Sequence, residues 1–391
     1  MAAVDFLAPR VTRAGTGAAT SIGDWFGAAL PAAAGRILVA VDAAVADTAA
    51  FRSVLASLDS AGFVPVVVSE FGPELTAEQV DRAAARARAS DIVAVLGVGG
   101  GSVLDAAKMI ALLAVNTGEC SDWLGAVEPH SCAPLVLVPT TIGTGAEATR
   151  IAMVTSGGEK RAVSSTRLLP DLAVLDPALV ASLPPAVKGS TGMDTLAHAV
   201  ESLLSSASSS LTELHAYEAI RIITADLPAA YDGDGEAAGR VLHAAYHGGL
   251  ALNAGAVLGH SLAYAINHEQ PLPHGTTCAL ALPYCLAYNQ NLDPGRAKRL
   301  ALALTSGESD RLWDAAERVV ALAVRVGQPT SLDEVGIPVG REEEMAARTV
   351  DLYPRPTNPE PIDRTRVGRL LGAMRSGDLA QAFTVTAPAA P

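Results

Sequence analysis

Residues 91–113 read D-I-V-A-V-L-G-V-G-G-G-S-V-L-D-A-A-K-M-I-A-L-L. Asp91–Leu96 is a short, continuously apolar run, the composition of a strand covered on both faces. It runs directly into Gly97–Ser102, and from Val103 the apolar spacing is helical. A strand, a glycine-rich turn and a helix N-terminus together form an anion site. Glycines let the backbone approach closely, free N–H groups point outward, and the helix dipole favours negative charge. A glycine cluster can also serve only a tight turn. Here Gly99, Gly100, Gly101 and Ser102 lie at the carboxyl end of an expected parallel strand, where ligands bind in doubly wound sheets, so they are read as a pyrophosphate cradle. The run does not match G-x-G-x-x-G and follows the third strand, so it is not the usual dinucleotide fingerprint.

Outward from this stretch, short apolar runs alternate with helical ones. Ile37–Val41 (ending at Asp42), Val64–Val68 and Pro134–Val138 read as strands, with helices over Ala44–Ala61 and Thr76–Ala89. Pro139–Thr149, P-T-T-I-G-T-G-A-E-A-T, supplies hydroxyls and glycines suited to a loop around phosphate and ribose. Ile151–Thr155, a turn at Gly157-Gly158 and Leu172–Leu175 follow. Residues 9–25 read as an extended stretch forming an edge hairpin, with a turn at Gly15 and Gly17. Asp176-Pro177 and Leu183-Pro184-Pro185 mark a hinge. Beyond Val187 the period is helical nearly to the end, including Thr212–Leu227, Glu236–Ala256, Arg296–Leu304, Ser309–Val326, Arg341–Asp351 and Arg364–Arg375. The expectation is an α/β domain with a parallel, Rossmann-like sheet over residues 1–184 and an all-α domain over 185–391. Thr384–Pro391 is low in complexity and reads as frayed; no internal repeat is present.

Composition narrows the function classes. The 391 residues exceed what one core usually supports. Half are apolar and 18% charged, which excludes disorder. A net charge of −13 repels phosphate backbones, so nucleic acid is not an expected partner. No secretory pattern opens the chain and no run suits a bilayer span, so a cytoplasmic protein without membrane association is expected. Cys120, Cys132, Cys278 and Cys285 fall in no zinc-type or paired spacing and read as reduced thiols.

Two stretches in the helical half carry chemistry. In Thr191–Glu201, T-G-M-D-T-L-A-H-A-V-E, Asp194 and His198 sit one helical turn apart among apolar residues. A carboxylate and an imidazole on a buried face need a partner, and a divalent metal is one. An acidic first turn followed by a core histidine is the plainer alternative. Gly259–Gly275, G-H-S-L-A-Y-A-I-N-H-E-Q-P-L-P-H-G, adds His260, His268 and His274. His130, His215, His243 and His247 carry no partner pattern.

Taken in this order, the motifs resemble the iron-dependent, group III alcohol dehydrogenase family, which includes maleylacetate reductases. The resemblance covers nearly the whole chain. It rests on Gly99–Ser102 with Asp105 and Lys108, Pro139-Thr140-Thr141, Gly143-Thr144-Gly145, Asp176-Pro177, Gly192–Glu201, His260, Pro273-His274-Gly275 and Thr357-Asn358-Pro359. It implies that Asp194, His198, His260 and His274 hold Fe²⁺, although the ligand set alone equally accepts Zn²⁺. It implies hydride exchange between a nicotinamide and an alcohol or carbonyl substrate whose oxygen the metal polarises. By the same resemblance Gly99, Gly100, Gly101 and Ser102 hold the pyrophosphate. Thr140, Thr141, Thr144 and Thr149 line the cofactor cleft, and Lys160 reaches the nicotinamide ribose. Asp42 matches a position near the adenosine ribose. A carboxylate there repels a 2′-phosphate, so NAD is expected, with NADP as the alternative, although Asp42 also suits a helix cap. A homodimer is the family's common state.

The chain departs from the family pattern at three places. Tyr264 stands where many members carry a proton-relaying histidine, leaving Tyr264 or His268 as the candidate proton carrier. Phe71-Gly72-Pro73-Glu74 replaces a V-x-P-N-P-like turn, and Ala146 replaces a residue that is often Ser. Arg150 either faces the pocket, where it would attract an anionic substrate, or faces solvent. The alternatives are a maleylacetate-type keto-acid reductase, a dehydroquinate-synthase-like or glycerol-phosphate-dehydrogenase-like enzyme, and a non-catalytic binding protein.

Overall fold

The computed structural model describes residues 5–30 and 35–387. The chain divides into two compact units, Leu7–Ser182 and a second running from Leu183 onward, which Phe6 also joins. The boundary therefore falls two residues before the expected one. Phe6 belongs with the second unit, where its ring stacks on His215 at 5.4 Å.

The first unit contains β1 (Val11–Ala14), α1 (Ile22–Ala29), β2 (Gly35–Val41), α2 (Ala43–Ala46), α3 (Ala49–Ser60), β3 (Phe63–Val68), α4 (Ala77–Ala89), β4 (Ile92–Gly99), α5 (Gly101–Leu113), β5 (Gly125–Ala126), β6 (Leu135–Pro139), β7 (Ile151–Ser156), β8 (Glu159–Ser164) and β9 (Leu172–Leu175). Six strands form one sheet in the order β1-β9-β6-β4-β2-β3, with every pairing parallel. Because side chains alternate along a strand, the apolar runs feed two cores. Ile37, Val39, Val41, Leu96, Val98, Val136 and Val138 pack with Phe26, Phe51 and Leu58 of α1 and α3. Leu38, Ala40, Val95, Leu135 and Leu137 pack with Val80 of α4 and with Val103 and Leu104 of α5. This double burial is why the strand sequences are continuously apolar.

Three local expectations are corrected. The stretch expected to form an edge hairpin is a parallel edge strand, β1, paired with β9 in the register Val11↔Leu172. The turn at Gly15 and Gly17 leads on into α1, and the Asp176 carboxylate fixes it by accepting from Gly17 N and Ala19 N at 3.0 and 3.1 Å. The helix expected over Ala44–Ala61 is broken, because Thr48 leaves the helical conformation and caps α3 by accepting from Phe51 N. The third strand runs on to Gly99 rather than stopping at Leu96, placing the glycines at its carboxyl end. β7 and β8 form an antiparallel hairpin through Gly157 and Gly158, both at positive φ.

The second unit is helical: α6 (Pro185–Leu204), α7 (Ser210–Tyr231), α8 (Gly235–Ala251), α9 (Leu258–Glu269), α10 (His274–Tyr288), α11 (Pro294–Leu304), α12 (Leu312–Arg325), α13 (Glu342–Asp351), α14 (Arg364–Ser376) and α15 (Leu379–Val385). α6 is the central helix, buried on nearly every side from Lys188 to Leu204. α8 ends earlier than the expected Ala256, and Gly255 at φ +76° turns the chain towards α9. The tail expected to fray from Thr384 is instead docked as far as Thr386, whose buried hydroxyl donates to Ala287 O at 2.8 Å; Pro388–Pro391 lie outside the described residues. No single helix among the described residues is long and apolar enough to cross a membrane.

Candidate metal centre and cofactor loop

Three helices of the second unit bring the predicted metal-binding side chains around Asp194 Oδ1. Asp194 and His198 come from the middle of α6, His260 from the first turn of α9, and His274 from the start of α10. The Nε2 atoms of His198, His274 and His260 lie 3.6, 3.7 and 4.0 Å from Asp194 Oδ1. The two glycines flanking these histidines set the approach. A Cβ on Gly259 would fall 2.5 Å from Glu201 Oε1, and one on Gly275 would fall 2.1 Å from Ser190 O. At Gly275 the obstacle is backbone, so α10 would not reach α6 with a larger residue there, whereas at Gly259 it is the Glu201 carboxylate.

Asp194 is 2% exposed, and its Oδ1 has no hydrogen-bond partner despite the three imidazoles around it. Leaving such an atom unsatisfied is costly. Ligands of a four-coordinate ion bonded at about 2.0–2.3 Å stand roughly 3.3–3.8 Å apart, close to the separations found here. The residues present therefore fit a divalent metal. Burial would raise the Asp194 carboxyl, but His198, His274 and His260, together with a hydrogen bond from Cys278, hold it below its ordinary value.

Several residues at this centre escape a reading by motif. Glu201, buried on α6 seven residues after Asp194, accepts from His260 Nδ1 at 2.6 Å and from the backbone N–H groups of Val257 and His260. That bond directs the Nε2 of His260 towards Asp194. The sequence signal was available: a third ionisable group on the same apolar helix face. Cys278 lies one turn after His274, and its Sγ is 3.5 Å from His274 Nε2 and 4.0 Å from His260 Nε2. Searching for cysteine pairs misses it, because its partner is a histidine four residues earlier. Asn358 supports the centre from a distance, accepting from Leu258 N at the start of α9 at 3.2 Å.

The two candidate proton carriers part company. The Tyr264 ring stacks on His274 at 5.5 Å and meets His260 edge-on at 6.3 Å. Burial pushes its hydroxyl up to about 12, partly opposed by Arg355, whose guanidinium lies 5.8 Å from the ring centre. His268 is exposed in the last turn of α9, eight residues and about 12 Å of helix rise beyond His260. The structure does not bring it to the cluster. His215 and His247, read as lacking partners, pair with each other through Nδ1 atoms 2.8 Å apart.

In the first unit, Gly99 ends β4 and Gly100 is the N-cap of α5, whose N-terminus no side chain caps. A Cβ on Gly101 would fall 2.6 Å from Thr144 Cγ2, and one on Gly100 would fall 3.2 Å from Thr141 Cγ2. The loop after β6 thus lies against the glycine turn, tied to it by Thr140 N donating to Gly99 O at 2.9 Å. Ser102 Oγ donates to Pro73 O at 2.6 Å, and Lys160 Nζ stands 3.8 Å from Glu74. The substituted turn therefore contacts two expected cofactor residues. Asp42 caps α2 by accepting from Ala44 N at 2.9 Å. Thr149 Oγ1 accepts from Lys108 Nζ at 3.1 Å, and Lys108 also donates to Ile151 O, riveting the loop to α5. Arg150 is exposed.

The family profile described as iron-containing alcohol dehydrogenase matches residues 9–177, and its C-terminal counterpart matches residues 188–374. The chain belongs to the iron-containing alcohol dehydrogenase family. It is an oxidoreductase with that family's two-domain fold. Among characterised relatives of this dehydrogenase, long-chain-alcohol dehydrogenase 1 of Geobacillus thermodenitrificans is 32% identical, covering 81% of this chain and 83% of the relative. The NAD-dependent methanol dehydrogenase of Bacillus methanolicus is 29% identical over 69% and 72% of the two chains. A crystallised 1,3-propanediol oxidoreductase superposes with a TM-score of 0.89 at 26% identity, covering 95% of this chain and all of that one. Sulfoacetaldehyde reductase from Bifidobacterium kashiwanohense, solved with NAD⁺, gives 0.88 at 25% identity, covering 97% and 100%.

Proposed function

We propose that this dehydrogenase depends on a divalent metal and uses NAD to interconvert a small alcohol with its aldehyde or ketone. One observation carries the reading: Asp194 Oδ1, buried and without a hydrogen-bond partner, sits among three imidazole Nε2 atoms from three helices. An ion held there would supply Lewis acidity to a substrate oxygen, and a bound nicotinamide would supply or take up the hydride. Asp194, His198, His260 and His274 are the proposed ligands, with Glu201 fixing the tautomer of His260. Tyr264 stays a protonated phenol at neutral pH, and its role is to hold His274 in orientation through the stacked ring. His268 has no place in this scheme. Gly99, Gly100, Gly101 and Ser102 cradle the pyrophosphate on the α5 dipole, Thr140, Thr141, Thr144 and Thr149 shape the loop around the cofactor, and Lys160 reaches the ribose. Asp42 disfavours a 2′-phosphate, which selects NAD over NADP.

The test is NADH oxidation by anaerobically purified protein against neutral and anionic carbonyls, with Fe²⁺ or Zn²⁺ restored after chelation. Turnover that returns with metal supports the reading, and metal-independent turnover sinks it. Asp42→Gly should raise the kcat/KM ratio of NADPH to NADH by about tenfold or more, since like charges in contact cost several kcal/mol. A second reading, a reductase of anionic carbonyls, draws on Arg355. Its guanidinium lies over Tyr264, which itself stacks on His274. Preference for keto-acids over neutral aldehydes, lost in Arg355→Ala, would favour it.

A further inference from the structure

Counting Asp194 itself, five donor groups gather here, one more than a four-coordinate ion uses. The carboxylate of Asp194, one ring nitrogen each of His260 and His274, and Cys278 Sγ all lie within 4.8 Å of one another. His198 stands to the side of that set, its Nε2 3.6 Å from Asp194 Oδ1 and its ring stacked on His260 at 5.0 Å. A buried cysteine often acts as a small hydrophobe. Cys278 is 2% exposed, yet two imidazole Nε2 atoms and the Asp194 carboxylate surround its sulfur. Cys285, two turns further along α10, gives the contrast: its sulfur meets the amide of Asn289. The unsatisfied Asp194 Oδ1 independently marks the same point as one that takes a cation.

We propose that Cys278 is a direct ligand of the metal, and that it biases the centre towards thiophilic ions such as Zn²⁺ over Fe²⁺. The inference rests on the metal-dependent reading above. Soft thiolate favours Zn²⁺, whereas imidazole and carboxylate accept both ions. When the S–metal bond forms, the S–H proton leaves to solvent. With Asp194 and the thiolate both bound, the ligand charges cancel the two positive charges of the ion. The centre is then a weaker electrophile than one made of three neutral imidazoles and a single carboxylate.

The experiment uses the full-length protein, stripped of metal and reloaded anaerobically. With one equivalent of Co²⁺, the wild type should show visible ligand-field bands and a near-ultraviolet thiolate-to-cobalt charge-transfer band. Cys278→Ala should keep the first and lose the second. X-ray absorption of the Zn²⁺-loaded wild type should fit one sulfur at about 2.3 Å beside nitrogen and oxygen ligands at about 2.0–2.2 Å, which decides the matter even if the variant does not fold. In competition between equal Fe²⁺ and Zn²⁺, the bound Zn:Fe ratio should fall about tenfold or more in Cys278→Ala. Tight Co²⁺ binding with no charge-transfer band and a shell of nitrogen and oxygen alone would overturn the role of Cys278 and leave the metal centre standing. No metal binding at all would overturn both.

Discussion

At the scale of single residues, two buried carboxylates show how context assigns roles. Glu201 is fully engaged: one oxygen meets His260 Nδ1 and the other accepts from two backbone N–H groups. Glu201→Gln should lower metal affinity about 10–100-fold, measured by competition with a chelator, because the amide presents an oxygen to only one of those two roles. Glu147, in the loop after β6, is the opposite case. It is 1% exposed, and neither carboxylate oxygen has a hydrogen-bond partner on another residue. Burial therefore pushes its pKa up to about 7 from the ordinary 4.5. The native state then holds a proton that the unfolded chain has lost, so the destabilisation from this group grows as pH rises from about 4.5 to 7 and is constant above. Glu147→Gln should remove that component. The difference in unfolding free energy between variant and wild type should shift in favour of the variant by roughly 3 kcal/mol between pH 4.5 and 8, read from denaturant titrations. The proposed ligands could be offered as candidates from motifs because metal-binding chemistry restricts them to few residue types. Glu201 shows in the sequence as a third ionisable group on the face of Asp194 and His198, but its role, like that of Cys278, was not legible, since a single carboxylate or thiol in an apolar helix has many uses until its neighbours are known.

At the scale of elements, glycines decide how closely helices meet. A Cβ at Gly275 would overlap the backbone oxygen of Ser190, which no side-chain rotation relieves. Gly275→Ala should therefore push the start of α10 away from α6. A lower thermal midpoint, corresponding to about 1–3 kcal/mol, and weakened metal binding should appear together. At Gly101 the obstacle is the Thr144 side chain, which can shift. Gly101→Ala should weaken NADH binding, measured by fluorescence titration, while stability changes little. The parallel strands and most helix positions were legible because burial on two faces or on one stripe leaves a period in the sequence. The exceptions have local causes. Thr48 breaks one expected helix by capping the next, and β1 pairs with a strand some 160 residues away, which local periodicity does not encode.

At the scale of the whole molecule, the metal centre joins α6, α9 and α10, so ion binding should stabilise the helical unit. An ion at 100 times its dissociation constant contributes about 2.7 kcal/mol, and chelation should lower the unfolding temperature by several degrees, reversibly on adding metal back. A thermal midpoint unmoved by chelation would mean that the cluster holds no ion in the native state. The sequence by itself determined the two-part organisation, the parallel sheet and the glycine turn at its third strand, because each is written in spacing between near neighbours along the chain; Asp194, His198, His260 and His274 it offered only as candidate ligands, through their match to a family pattern. Only the tertiary structure decided that Glu201 orients His260, that Cys278 rather than any cysteine pair stands at the centre, and that Tyr264 and not His268 accompanies His274. Those relations depend on the angles at which α9 and α10 approach α6. Close packing against Ser190 and Glu201 sets those angles, and a one-dimensional pattern carries no record of them.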